Sequence, residues 1–338
     1  MDETVFVLKQ LQSKYPTLIY DVEPLFFDSV QKEVGMVFLI PGNPGLPTYY
    51  VPFLSMIREK LPGWRIVCVS QAGCDVVTTK LKYADPQNIV CYGLHDQVSH
   101  KLEALVSLSR LHGYFGTEGA DKQVVLVGHS IGCWMIQHLI LQLRQQSYPI
   151  NVSQSILLFP TIKDISKSSN GVKFLALERK IPLAILASSF AFYFTRYFPD
   201  FVVNWAIKLV MRSPPIHALQ ATRSLVSSQS VVYQCLSLAG EEMEYVKAET
   251  EDLDTIFWSG NWSASTNRSG PGKIVAFFAN KDHWIADSTR AELLAAHSSL
   301  DNVELHVASA DEKCSHSFCV KESKFVADKV VGWIKSSA

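Results

Sequence analysis

Val124-Val125-Leu126-Val127-Gly128-His129-Ser130-Ile131-Gly132 is the stretch on which the fold turns. Four apolar, mostly β-branched residues read as a strand. Gly128–Gly132 then has the form Gly-x-Ser-x-Gly, and the apolar run Cys133–Leu143 reads as a helix. Strand, tight turn and helix in that order form the context of a nucleophile elbow, which strains the serine backbone and lifts its hydroxyl above the sheet edge. Glycines at 128 and 132 remove Cβ atoms where strand and helix approach closely. A bare pentapeptide of this form arises by chance; the flanks make Ser130 a candidate nucleophile rather than a buried turn serine.

On the N-terminal side, Thr17–Val22, Gly35–Pro41 and Trp64–Ser70 read as strands. On the C-terminal side, Gln154–Pro160, Lys273–Phe278 and Val303–Ala308 do so. Gly-Met-Val-Phe-Leu-Ile-Pro at 35–41 is a continuous apolar run, the signature of a strand covered on both faces. Between the strands, Tyr49–Leu61, Tyr92–His112 and Val320–Ile334 carry helical periodicity, with Leu94, Val98, Leu102, Leu105 and Leu108 on one side of the second. Strands alternating with helices imply an α/β fold with a mainly parallel sheet and helices on both faces.

The segment 161–270 breaks this rhythm. Phe174–Leu177, Ile181–Phe194 and Phe198–Met211 are strongly apolar, with Arg179, Lys180, Arg196, Tyr193, Tyr197 and Trp205 around them. The central run is shorter than the ~20 residues needed to span a bilayer. Basic and aromatic residues flanking a short apolar helix suit an element lying in a lipid interface. An ordinary cap with an apolar inner wall suits the same residues. Asp252–Gly272, rich in Ser, Gly and Asn, reads as a loop returning to the sheet.

The 338 residues are 48% hydrophobic and 19% charged, with a net charge of −1, so there is no basic excess to neutralise the phosphates of a nucleic acid. Seven scattered cysteines lack Cys-x-x-Cys spacing and suggest neither a zinc site nor a disulfide framework. Met1-Asp2-Glu3-Thr4 is acidic and without an apolar core, so no secretory peptide is expected.

A serine hydroxyl needs a base within hydrogen-bond reach, and the base an orienting acid. On an elbow fold the chain order is serine, acid, histidine. Asp282 follows the strand Lys273–Phe278, and His316 lies between the last strand and the last helix; these are the expected acid and base. Asp287 is expected on a helix facing solvent, His297 on a helix surface and His306 in mid-strand, while His283 lies too close to the acid loop. For His129 a bland reading, lining the pocket without doing chemistry, is nearly as good as a functional one. The oxyanion of acyl transfer needs backbone N–H donors. Ile131, after the serine, should supply one, and the Gly42–Pro44 loop the other; Pro44 has no N–H, which leaves Asn43. This chemistry calls for no metal or organic cofactor, and none is signalled.

Leu39-Ile40-Pro41-Gly42-Asn43-Pro44-Gly45 with Tyr49-Tyr50-Val51-Pro52-Phe53 resembles the lipid droplet-associated hydrolase family. So do Val127–Gly132, Leu158-Phe159-Pro160-Thr161-Ile162 and Ser169-Asn170-Gly171. The matches run in order over about 35–320. The chain departs from the family pattern at Cys74, Ala279-Asn280, Ser315 and Ser317. The resemblance implies an α/β-hydrolase fold and the triad Ser130, Asp282 and His316; with the residue reading above, the expectation is a single domain over 1–338 with 161–270 as a helical cap and lipid-interface insertion. The resemblance further implies a serine esterase of sterol esters or other neutral lipids, active in lipid storage and droplet turnover. Residence would be on lipid droplets and the cytosolic face of the endoplasmic reticulum membrane, with about 174–211 on the droplet monolayer. A droplet scaffold with little turnover and a soluble esterase with a plain cap are the competing expectations. No protein partner is signalled.

Overall fold

The computed structural model describes residues 8–10, 14–15, 17–25, 32–77, 85, 88–115, 122–248, 250–262 and 271–337. The strands are β1 (Leu8–Gln10), β2 (Leu18–Val22), β3 (Gly35–Ile40), β4 (Trp64–Val69), β5 (Gln123–His129), β6 (Val152–Leu158), β7 (Lys273–Phe278) and β8 (Val303–Val307). They form one 8-stranded sheet in the order β1-β2-β4-β3-β5-β6-β7-β8. From β4 to β8 every neighbour is parallel; β1 and β2 add an antiparallel edge. The short β1 has no counterpart in the sequence reading.

The continuous apolar runs are explained by cover on both faces. Met36, Phe38 and Ile40 of β3 pack with Val124 and Leu126 against α2 (Leu94–Leu111) and α3 (Ile131–Gln145). Val37 and Leu39 pack with Val125 and Val127 on the opposite face, beside α1 (Val51–Lys60) and, past the four-residue α10 (Phe318–Lys321), α11 (Ser323–Lys335). Alternate residues of one strand thus supply two cores.

Between β6 and β7 the chain inserts five helices, α4 (Ser169–Glu178), α5 (Leu183–Tyr197), α6 (Asp200–Val210), α7 (Ile216–Val226) and α8 (Gln229–Tyr245). α9 (Asp287–His297) links β7 to β8. α5 and α6 bury little of their apolar content: Phe192 of α5, and Val203 and Ile207 of α6, are their buried apolar residues. Leu186, Phe190, Tyr193 and Tyr197 lie exposed along α5, and Phe201, Trp205 and Leu209 along α6. Their three- and four-residue spacing puts each set on one helix face. Among the described residues no helix is long and apolar enough to cross a membrane.

Two expectations need correction. Within Asp252–Gly272, residues Leu253–Trp258 form a turn of π-helix, and Phe257 and Trp258 are buried in the core against Trp262. Polar neighbours masked this aromatic anchor in the sequence. His297, expected on a helix surface, is buried and stacked on Trp258 with ring centroids 3.8 Å apart. The N-terminal tetrapeptide and residues 263–270 lie outside the described residues.

Candidate active site

The sheet order changes direction between β3 and β5, whose C-terminal ends pair through Ile40 and Gly128. Loops leaving such a switch point diverge and open a crevice. Here they are Pro41–Gly45 and the turn at Ser130. Ser130 has φ +54°, a left-handed conformation that a non-glycine residue rarely holds and that recurs at functional sites. Ile131 then starts α3 directly, where a first-turn N–H lacks a helical acceptor.

The structure brings Ser130, His316 and Asp282 into one row. Ser130 Oγ lies 2.9 Å from His316 Nε2, and His316 Nδ1 lies 2.8 Å from Asp282 Oδ2. With Nδ1–H donated to the carboxylate, Nε2 is the acceptor that faces the serine hydroxyl. The Asp282 side chain is 1% exposed, and its Oδ1 accepts from Trp284 N–H at 2.7 Å. Burial pulls its pKa up, but the hydrogen bond to His316, that ring's charge and the Trp284 N–H outweigh burial and hold it below the ordinary value. Thr161 Oγ1 stands 3.4 Å from Ser130 Oγ. Asp287 starts α9 and pairs with Arg290, and His306 pairs with Glu304, both away from this row. His283 meets Ser169.

Asn43 lies in the loop facing the serine. Gly42 N–H donates to Tyr50 Oη at 3.1 Å, and the side chain of Asn43 donates to Cys235 O at 2.8 Å and to Glu242 Oε1 at 2.9 Å, both on α8. Gln71 secures the loop from the other side: its amide donates to Pro41 O, and its N–H to Gly45 O at 3.0 Å. Gly45 sits at φ +74°, where a side chain would be strained.

His129 contributes more than lining. Tyr50 Oη lies 2.6 Å from its Nδ1, and its Nε2 lies 2.8 Å from the carbonyl of His316. Burial, then the nearby His316 charge, lowers its pKa to about 3, so the ring is neutral. Tyr50 and Glu242 were not singled out from the sequence. Tyr50 enters there only at the start of the Tyr49–Leu61 helix and in the family motif, and Glu242 does not enter at all.

The row opens on a cavity of about 600 Å³. Ser130, His316, Asn43 and Glu242 line its polar end; Phe174, Ala187, Ala191, Met211, Leu225 and Val232 are among its apolar walls. Ala187 and Ala191 belong to α5, so the helix with the exposed aromatic stripe also forms a wall of this cavity.

The sequence profile of lipid-droplet associated hydrolases matches residues 33–319. The chain belongs to this family. The lipid droplet-associated hydrolase of Mus musculus is 24% identical over 319 residues, covering 91% of this chain and 86% of the mouse protein. That of Homo sapiens is 36% identical over 159 residues, 44% of each chain. Among solved structures, a carboxylesterase of Nitrososphaera gargenis superposes with TM-score 0.56 at 12% identity over 98% of both chains. A soluble variant of monoglyceride lipase from Saccharomyces cerevisiae gives 0.54 at 12% identity, over 98% of this chain and 95% of that one. The fold is that of the α/β-hydrolases.

Proposed function

We propose that this ester hydrolase cleaves neutral-lipid esters at the lipid droplet surface by acyl transfer through Ser130. His316 takes the proton of Ser130 as the hydroxyl attacks the ester carbonyl, and Asp282 holds the imidazole in the needed tautomer. The N–H groups of Ile131 and Asn43 receive the oxyanion; losing one such donor raises a barrier by ~3 kcal/mol. His316 returns the proton to the leaving alcohol, and water repeats the sequence to release the acid. The observation that carries this reading is the Ser130–His316–Asp282 row at the polar end of an apolar cavity.

We read residues 1–338 as one catalytic domain with 161–270 as its helical cap. The exposed stripes of α5 and α6 form the lipid contact, since an apolar patch of this kind marks an interaction surface. A droplet is oil under a single leaflet, so a shallow contact suffices. The proposed residence is the droplet and the cytosolic face of the endoplasmic reticulum membrane, in lipid storage and turnover, with sterol esters one substrate class that the family resemblance implies.

Labelling by a fluorophosphonate probe, beside Ser130→Ala and His316→Ala, tests the chemistry. Wild type should label and both variants should not. A folded wild type that stays unlabelled with lipid droplets present would reject acyl transfer and favour a droplet scaffold.

A further inference from the structure

Glu242 is the one carboxylate among the residues lining the cavity. It is 5% exposed, on the face of α8 that turns toward the oxyanion loop. Its Oε1 accepts from Asn43 Nδ2; its Oε2 has no hydrogen-bond partner among the described residues. Apolar residues, among them Ile165, Phe174, Leu236 and Ala239, make up much of the cavity lining that Glu242 shares. A buried ionisable group is costly without partners. An amide at this position would hold Asn43 equally well at less cost. Fastening the loop therefore does not account for a carboxyl here.

Its location says what it can reach. On the proposed reading Asn43 gives its main-chain N–H to the oxyanion, while its side chain meets Glu242. The carboxyl thus stands one asparagine and two hydrogen bonds from the reacting carbonyl, on the order of 10 Å at most along that path. A hydroxyl a few bonds from a scissile ester falls within that span. A fully esterified or wholly hydrocarbon neighbour would leave the carboxyl facing apolar atoms.

We infer that Glu242 reads a free hydroxyl near the scissile ester, and that the substrates are hydroxyl-bearing lipid esters such as partial glycerides. This rests on the proposed acyl-transfer reading and narrows its neutral-lipid esters to one class. Burial, opposed by the Asn43 bond, raises the Glu242 pKa to about 7, and a hydroxyl suits both forms of the group because it donates and accepts. A hydrogen bond to such a group changes rates by on the order of 10- to 100-fold.

The test uses the full chain and three esters: monooleoylglycerol, with hydroxyls on its alcohol; a methyl 3-hydroxyacyl ester, with one on its acyl chain; and methyl oleate, with none. Wild type should show kcat/KM at least tenfold higher for a hydroxylated ester than for methyl oleate, and the two hydroxylated probes tell which side of the ester is read. Glu242→Met should bring that ratio to within about threefold of unity, whatever its overall activity. Glu242→Gln, which keeps a polar partner, should retain more of the ratio. A wild-type ratio near one overturns the inference even where Glu242→Met fails to fold, and so does a preference that survives in Glu242→Met. A wild type that labels with fluorophosphonate yet cleaves none of the three also overturns it. A wild type that does not label overturns the acyl-transfer reading beneath it.

Discussion

His129 Nε2 lies 2.8 Å from the backbone carbonyl of His316, so the residue preceding the serine holds the loop that carries the proposed base. A carbonyl only accepts, so Nε2 carries the proton and Nδ1 accepts from Tyr50 O–H. Tyr50 Oη in turn accepts from Gly42 N–H. One chain of hydrogen bonds therefore ties the Pro41–Gly45 loop to the His316 loop. Tyr50→Phe cuts it at its centre and leaves two polar partners unmatched, at ~1–3 kcal/mol. The expected result is a fall in kcat of about tenfold or more with KM little moved and the circular dichroism spectrum intact. A KM effect alone would show that Tyr50 only lines the pocket.

Asp282→Asn keeps the shape of the acid but can hold the wrong imidazole tautomer. Where such a change has been made in a serine triad the rate falls about 10⁴-fold, and a similar loss is expected in steady-state hydrolysis. The same variant reports on stability. The folded-state pKa of Asp282 lies below its ordinary 3.8, so its stabilisation is present above that pH and is lost as pH falls through the folded value. The gap in melting temperature between wild type and Asp282→Asn should narrow below about pH 4. A constant gap would mean that the charged pair adds nothing to the fold.

A Cβ at Gly132 would collide with the carbonyl oxygen of Ile40 and stand 2.9 Å from that of Pro41. Both are backbone atoms at the end of a central strand and have little room to yield. Gly132→Ala should cost ~1–3 kcal/mol through overpacking. Thermal unfolding would register a fall of several degrees, with lower turnover because the same shift moves Ile131 N–H and Ser130. A variant as stable as wild type would show that the elbow is looser than this contact implies.

The central strands and the Ser130–His316–Asp282 row were legible in the sequence for physical reasons. A strand covered on both faces must be apolar throughout, and groups that meet at the sheet edge must follow strand ends in a fixed order. Glu242 was not legible, because it meets Asn43 across 199 residues of sequence and no local pattern announces that contact. Phe257 and Trp258 were hidden by their polar flanks, and Tyr50 meets His129 across 79 residues of sequence. The sequence left α5 and α6 open between cap and lipid contact; in the structure α5 presents faces suited to both.

Lys101 gives a second pH signature. Its ammonium is buried, donates to Ser70 O at 2.7 Å and lies 3.1 Å from His100 Nδ1. Burial lowers its pKa to about 7, opposed weakly by Cys74 and Cys68. The unfolded chain keeps that proton up to about pH 10.4. Between these values the unfolded state binds more protons, so stability rises with pH. The melting temperature of wild type relative to Lys101→Met should increase from pH 6.5 to pH 9. A difference that stays flat or moves the other way would mean that Lys101 is solvated in the fold.

Phe190 is 69% and Trp205 64% exposed, so neither anchors the insertion against the sheet. Their replacement by charged residues should leave the fold near its original stability, as surface changes away from packed features do. Each buried apolar side chain contributes ~1.5–3 kcal/mol to transfer from water, and a carboxylate in the same place resists entry into a monolayer. Phe190→Asp with Trp205→Glu should therefore shift the protein from floated droplets to cytosol by at least tenfold, while hydrolysis of a soluble short-chain ester persists. Retention on droplets with both charges present would assign the lipid contact to another surface and leave α5 and α6 as cap alone.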